Sequence, residues 1–198
     1  MPKITAKLVK ELRDKSGAGM MDAKKALSAV GGEMDAALGY LRKTGFLKAQ
    51  KKSERATGQG LIHSYIHGGG RIGVLIEVGS ETDFVARNEV FANMVHDIAL
   101  HIAAQNPLYV SREEVPESIV KKEREIYQEQ AKAEGKSGDV VKKIVEGKLE
   151  KYYAQVCLLE QPFVKDEDVR VREVIDAAIS KLGENIRVKR FARFELGE

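Results

Sequence analysis

The apolar residues of this chain change their period once, and that change limits what it can fold into. Up to Gly45 they recur at three and four. Ile4, Leu8, Val9 and Leu12 share a face before Gly17, and Met20, Ala23, Leu27 and Val30 share another before Gly31-Gly32. Met34, Ala37, Leu38 and Leu41 make a third, ended at Gly45. Helices this short do not stand alone in water, so they are expected to pack as a small bundle. From Leu61 the period is strand-like: LIHSYIH and RIGVLIEV flank Gly68-Gly69-Gly70, a hairpin signature whose glycines are free to take positive φ. Helices first and paired strands later predict an α+β chain, with a three-helix module over 1–47, a linker over 48–60 and a core domain over 61–198. The linker, KAQKKSERATGQG, loses apolar periodicity and gains charge, Ser and Gly.

Within the core domain a helix is expected from Asn88 to about Gln105, with Phe91, Val95, Ile98 and Ile102 on one face. A second helical spacing runs from Asp166 to Leu182, closed by Gly183. The last run, IRVKRFARFEL, alternates, placing Ile186, Val188, Ala192, Phe194 and Leu196 on one face with Arg190 as the exception. It is expected to add a third strand to the hairpin. Between these pieces lies a different kind of segment, at about 111–157. Ser111 and Glu114 have capping-box spacing, and Pro116 suits a first helical turn. Ile119, Val120, Glu123, Ile126 and Tyr127 form a thin stripe; after the breaker EGKSG a second stripe runs through Val141, Ile144, Val145, Leu149, Tyr152 and Val156. Thin seams with charged outer faces predict two helices paired as an antiparallel arm. At ~1.5 Å rise per residue such an arm reaches roughly 25 Å.

Composition narrows the function classes. With 43% hydrophobic and 32% charged residues over 198 positions, the chain has the profile of a soluble, helix-rich protein. A net charge of +3 is too slight to argue for nucleic acid, which needs a concentrated basic face. One cysteine, Cys157, builds neither an internal disulfide nor a thiolate metal cage. The start, MPKITAKLVKELR, has no continuous apolar stretch, and no later run approaches a membrane span, so the cytoplasm is the expected compartment.

Chemistry that would mark an enzyme is mostly absent. Gly68, Gly70 and Gly73 satisfy G-x-G-x-x-G, but they lead into a strand, whereas a phosphate cradle needs glycines that open a helix. His63 and His67 on one strand lie ~13 Å apart, and His96 and His101 point away from each other on a helix, so no metal site is expected. No carboxylate pair is singled out for acid-base work. The lysine run Lys48 to Lys52 is ordinarily a solvated face.

One stretch stays unexplained. ETDFVARN follows an apolar strand and precedes a helix, and it sets a large apolar Phe84 between Asp83 and Arg87. Taken locally, Phe84 either turns inward as a core cap or is a wedge presented to a partner. Together with LVKELRDKSGAGMMDAKKAL, HDIALH, QPFVKD and RFELG, this stretch resembles the bacterial translation elongation factor Ts family, in the expected order over nearly the whole chain.

That resemblance implies a nucleotide exchange factor for the GTPase elongation factor Tu. It implies that the three-helix module is similar to a ubiquitin-associated fold and docks on the partner through Met20, Met21 and Lys24, with Lys52 near the linker and His101 on the core helix as further partner-contacting positions. Thr82, Asp83, Phe84 and Val85 match the element that disturbs the partner's Mg²⁺ site. Short members with a single core form homodimers through the core sheet and bind two partner molecules, so a noncovalent dimer in a 2:2 complex is expected, with no cofactor. A passive helical adaptor without exchange activity is the alternative, separated by release of a fluorescent GDP from the GTPase. An RNA-binding protein is disfavoured, because the aromatics lie in apolar stripes.

Overall fold

The computed structural model describes residues 4–197. Residues 1–3 and 198, the outer limits of the expected module and core, lie outside the described residues. The described residues form eight α-helices and a three-stranded antiparallel sheet beside a two-stranded ladder, an α+β fold.

Three helices come first. α1 (Ala6–Ser16) is capped by Thr5, whose hydroxyl accepts the Leu8 N–H at 3.3 Å, and stops at Gly17. α2 (Met20–Ala29) and α3 (Met34–Gln50) follow. Val9, Leu12, Ala23, Ala26, Leu27 and Ala37 are buried among them, so the three periodic faces meet in one small core, except at Met20 on the expected α2 face, which is exposed. α3 runs past Gly45 into the first residues of the segment read as a linker. A glycine costs a helix only ~1 kcal/mol, and packing of α3 against the last helix carries it through.

β1 (Gln59–His67) and β2 (Ile72–Ser80) form the expected hairpin, with Gly68, Gly69 and Gly70 all at positive φ. A single turn, α4 (Asp83–Ala86), leads to α5 (Glu89–Gln105), started by the Asn88 side chain. The whole expected face of α5, Phe91, Val95, Ile98 and Ile102, is fully buried against the sheet. Each such side chain contributes about 1.5–3 kcal/mol by leaving water. α6 (Glu117–Ala133) and α7 (Asp139–Val156) fold back on each other around Ala131, Val141, Val145 and Leu149. Ser111 makes no capping bond; Glu114 instead accepts the Val110 N–H at 3.0 Å, so the capping-box spacing there serves the arm's root. Buried Glu160 binds Arg112, Arg170 and Arg172 at the same root.

The expected helix over 166–182 is divided. β4 (Asp166–Arg170) pairs with the short β3 (Pro162–Phe163), and α8 (Val171–Leu182) starts only where Glu173 accepts the Arg170 N–H. The charged DED triplet offers no apolar face to hold a helical turn, and the ladder takes its backbone bonds.

β5 (Ile186–Glu195) joins the sheet in the order β1-β2-β5. Its expected single face is wrong in the second half. A bulge places both Lys189 and Arg190 against the stretch where β2 advances by one residue, from Val78 to Glu77. The extra residue exchanges inside for outside. Ile186 and Val188 are buried as expected, but beyond the bulge the inward positions are Phe191 and Arg193, while Phe194 and Leu196 are exposed. Arg193 uses its inward place to donate to the Ala103 carbonyl near the end of α5.

Gly60 shows how closely the sheet is built. Its φ is +147°, and a Cβ there would lie 2.1 Å from the Val78 carbonyl oxygen. Gly60→Ala is expected to cost about 1–3 kcal/mol through strain and clash. Gly69→Ala, where a Cβ meets nothing within 4 Å, carries only the positive-φ cost of about 1–2 kcal/mol. Urea unfolding of both variants checks the order; a Gly60 variant no worse than the Gly69 variant would contradict it.

Candidate functional site

ETDFVARN folds into a corner between the end of β2 and the start of α5. Ser80, buried, donates from its hydroxyl to the Thr82 carbonyl at 2.9 Å and turns the chain out of the sheet. Thr82 then caps α4, its hydroxyl oxygen accepting the Val85 N–H at 3.4 Å. Val85 points inward and is buried; Phe84, one position earlier, is 77% exposed. That exposure rules out one local reading of Phe84: the ring is not a core cap. The flanking charges pair with each other, Arg87 Nη2 lying 3.1 Å from Asp83 Oδ2 across one turn. Both are exposed, so the pair contributes only about 0.3–0.5 kcal/mol and serves to close the turn.

The corner is bound to a part of the core that is distant in sequence. Glu184, in the bend between α8 and β5, accepts the Thr82 N–H at 3.0 Å on one carboxylate oxygen and the Thr82 hydroxyl at 2.7 Å on the other. Its neighbour Asn185, almost fully buried, donates its backbone N–H to Glu81 at 2.6 Å and its side-chain amide to the Arg55 carbonyl at 2.7 Å. Lys52 sits beside this cluster; burial and then Arg55 hold its ammonium below the usual lysine range, with Glu81 and Glu184 acting in the other direction. Structure thus brings Lys52 and Thr82–Val85 to one neighbourhood through Glu81 and Glu184. Nothing in the periodicity pointed to Glu81, Glu184 or Asn185; the only trace is that GEN follows the last helix and so must turn the chain.

Met20, Met21 and Lys24 lie apart, on the first turns of α2, and all three are exposed. Neither methionine enters the bundle core, which leaves two adjacent flexible apolar side chains in water.

His101 is placed differently. It is fully buried on α5, stacked on Phe163 with ring centroids 5.9 Å apart. Val164 N–H donates to Nδ1 at 3.1 Å, so Nε2 carries the proton and donates to the Gln161 side-chain oxygen at 2.9 Å. The imidazole is therefore neutral, and burial holds its pKa below the usual range against the opposing effect of Gln161. It fastens the chain leaving the arm to α5. The histidine pairs weighed along the sequence do not form; His63 Nε2 instead meets His96 Nδ1 at 3.2 Å across β1 and α5. Among the described residues no group of three or more His, Cys, Asp or Glu is arranged to hold a metal ion, and no helix is long and apolar enough to cross a membrane.

The chain as a whole is similar to known proteins. The profile of the family described as Elongation factor TS matches residues 47–198. The chain belongs to the elongation factor Ts family. It is 57% identical over 195 residues to Elongation factor Ts of Alkaliphilus oremlandii, covering 98% of this chain and 90% of that protein. To Elongation factor Ts of Moorella thermoacetica it is 55% identical, covering 98% and 96% of the two chains. To that of Desulforamulus reducens it is 54% identical over all 198 residues and 91% of the relative. These elongation factor Ts relatives therefore extend the likeness through the first 46 residues, which the family profile leaves out.

His101 gives a pH test. A histidine whose folded pKa is depressed binds fewer protons folded than unfolded, so its contribution is complete above ~6.5 and is lost as pH falls below that value. His63, depressed by burial and by His96, adds to the same slope, while Asp176, pushed up by burial to about 6, acts oppositely. Both are common to the parent protein and to His101→Gln. The variant is expected to be less stable at pH 8 and to lose less stability between pH 7 and 5.5 in urea unfolding. An equally steep profile would contradict the neutral buried imidazole.

Proposed function

We infer that this chain is a guanine nucleotide exchange factor for elongation factor Tu and serves protein synthesis in the cytoplasm. Family membership supports the activity, and the exposure of Phe84 is the single observation that carries the mechanism. GDP in such a GTPase is held by backbone amides and by Mg²⁺, which offsets the crowding of phosphate charge. Phe84, with Thr82, Asp83 and Val85, pushes aside the elements that position this ion, so ion and nucleotide loosen together. Burying the ring in the partner supplies about 2–3 kcal/mol, at little rotamer cost. By linkage, bound nucleotide weakens the factor in the same proportion, and GTP expels it. No bond is made or broken, and the factor needs no cofactor or metal of its own.

The remaining parts fit docking roles. The cluster α1–α3 supports a ubiquitin-associated-like module over 1–47 that meets the partner's nucleotide domain through Met20, Met21 and Lys24, with Lys52 beside the tether over 48–60. The arm at about 111–157 is an antiparallel coiled coil projecting from the 61–198 core. His101 acts by holding the arm exit in register.

The outer face of the sheet favours a homodimer. Ile62, Ile66, Leu75 and Phe194 are each at least half exposed there, an apolar layer that a second copy of the sheet would cover. Two copies binding two molecules of elongation factor Tu make a 2:2 complex. The association is noncovalent: Cys157 is buried and its thiol is pushed up to about 11.

Release of a fluorescent GDP from elongation factor Tu, with light scattering on the same samples, tests the proposal. Faster release with added factor is expected, together with a free mass near twice 21.9 kDa. Binding without faster release would favour the passive adaptor, and a 21.9 kDa species would overturn the dimer.

A further inference from the structure

We propose that Glu184 is a positioning residue for exchange, one that sets the pose of Phe84 without touching the partner. The inference rests on the wedge reading above and adds a residue that the reading does not contain. Glu184 is 100 positions from Phe84 in sequence, yet both of its carboxylate oxygens are spent on Thr82, the residue that caps the turn carrying the ring.

The chemistry of a hydroxyl makes this bond directive. Thr82 Oγ has one proton and two lone pairs. With the proton held by Glu184 at 2.7 Å, the hydroxyl rotor is fixed and a lone pair of the same oxygen faces Val85 N–H, the bond that starts α4. Without Glu184 the proton loses this acceptor and the lone pair its fixed aim at Val85 N–H. α4 has only four residues, too few to persist on its own propensity. Val85 underneath, the exposed Asp83–Arg87 pair, the Ser80 hydroxyl on the Thr82 carbonyl and the turn's own backbone bonds also support it, but none of them is a bond to the Thr82 hydroxyl proton.

Glu184 is itself held in place. Asn185 N–H bonds Glu81, and the Asn185 amide bonds the Arg55 carbonyl, so the bend after α8 is pinned at the end of β2 and at the chain that follows α3. The carboxylate thus transmits the position of the rigid core to the turn. An ångström of drift at a working tip can cost on the order of a hundredfold in rate, so loosening this clamp should be visible in exchange while leaving the fold intact.

The test is fluorescent GDP release from elongation factor Tu at increasing concentrations of the full-length factor, comparing the parent protein, Glu184→Ala, Glu184→Gln, Phe84→Ala and the Phe84→Ala/Glu184→Ala double variant. Glu184→Ala is expected to lower the release rate at saturating factor by about ten- to a hundredfold, to shift the half-saturating concentration much less, and to leave the melting midpoint close to that of the parent. Glu184→Gln, which keeps an acceptor for the Thr82 N–H, should fall between. In the Phe84→Ala background removal of Glu184 should have no further effect, because Glu184 acts through the ring. Faster hydrogen exchange at the Val85 amide in Glu184→Ala is the matching structural readout. An unchanged saturating rate in Glu184→Ala beside a slowed Phe84→Ala would overturn the positioning role alone; additive losses in the double variant would overturn it too. No effect of Phe84→Ala would instead remove the wedge reading beneath it.

Discussion

A phenyl ring held in water on a four-residue turn is the constraint around which the rest of this molecule is arranged. Left to itself, such a ring folds back onto the nearest apolar surface, and a turn that short frays. Here the adjacent Val85 takes the inward place and Phe84 is left outside. The fold gains little from a ring this exposed in the free chain, so its stability comes from the sheet, α5 and α8 beneath it. That division fits a part whose apolar area is reserved for a partner.

The support is built from pieces distant in sequence. β2 delivers the corner, α5 leaves it, and the bend between α8 and β5 returns to grip it through Glu184 and Asn185. The bulge at Lys189 and Arg190 serves the same end less directly. It turns Arg193 inward to the end of α5 and sends Phe194 to the outer face, so one extra residue both secures the helix behind the corner and adds to the surface proposed for a second copy. His101 plays the equivalent part for the arm, as a neutral imidazole with both ring nitrogens occupied within the chain.

Much of the fold was legible because burial imposes period. The faces of α1 and α5 and the glycine hairpin, and most of those of α2 and α3, could be read from spacing alone; Met20 is exposed and α3 runs past Gly45. β5 could not, because a bulge adds a residue without leaving a compositional mark, and the alternation of Phe194 and Leu196 with Ile186 and Val188 was apparent only. β4 was hidden because DED satisfies a helical spacing at its ends without an apolar face. At the site, ETDFVARN stood out as a wedge candidate, but its exposure was a matter of geometry, and the resemblance to a family supplied its meaning. Glu184 and Asn185 were invisible, since polar clamps between distant segments carry no period at all.

The central claim is that the Phe84 ring speeds GDP release by way of the partner's Mg²⁺. The direct measurement compares the parent factor with Phe84→Ala at saturating concentration, once with millimolar Mg²⁺ and once with the ion removed by chelation. Loss of about 2–3 kcal/mol of ring burial corresponds to roughly thirty- to a hundred-and-fifty-fold slower release with Mg²⁺ present, and the difference should largely close when the ion is gone. Equal rates with Mg²⁺, or a gap that persists undiminished without it, would contradict the claim.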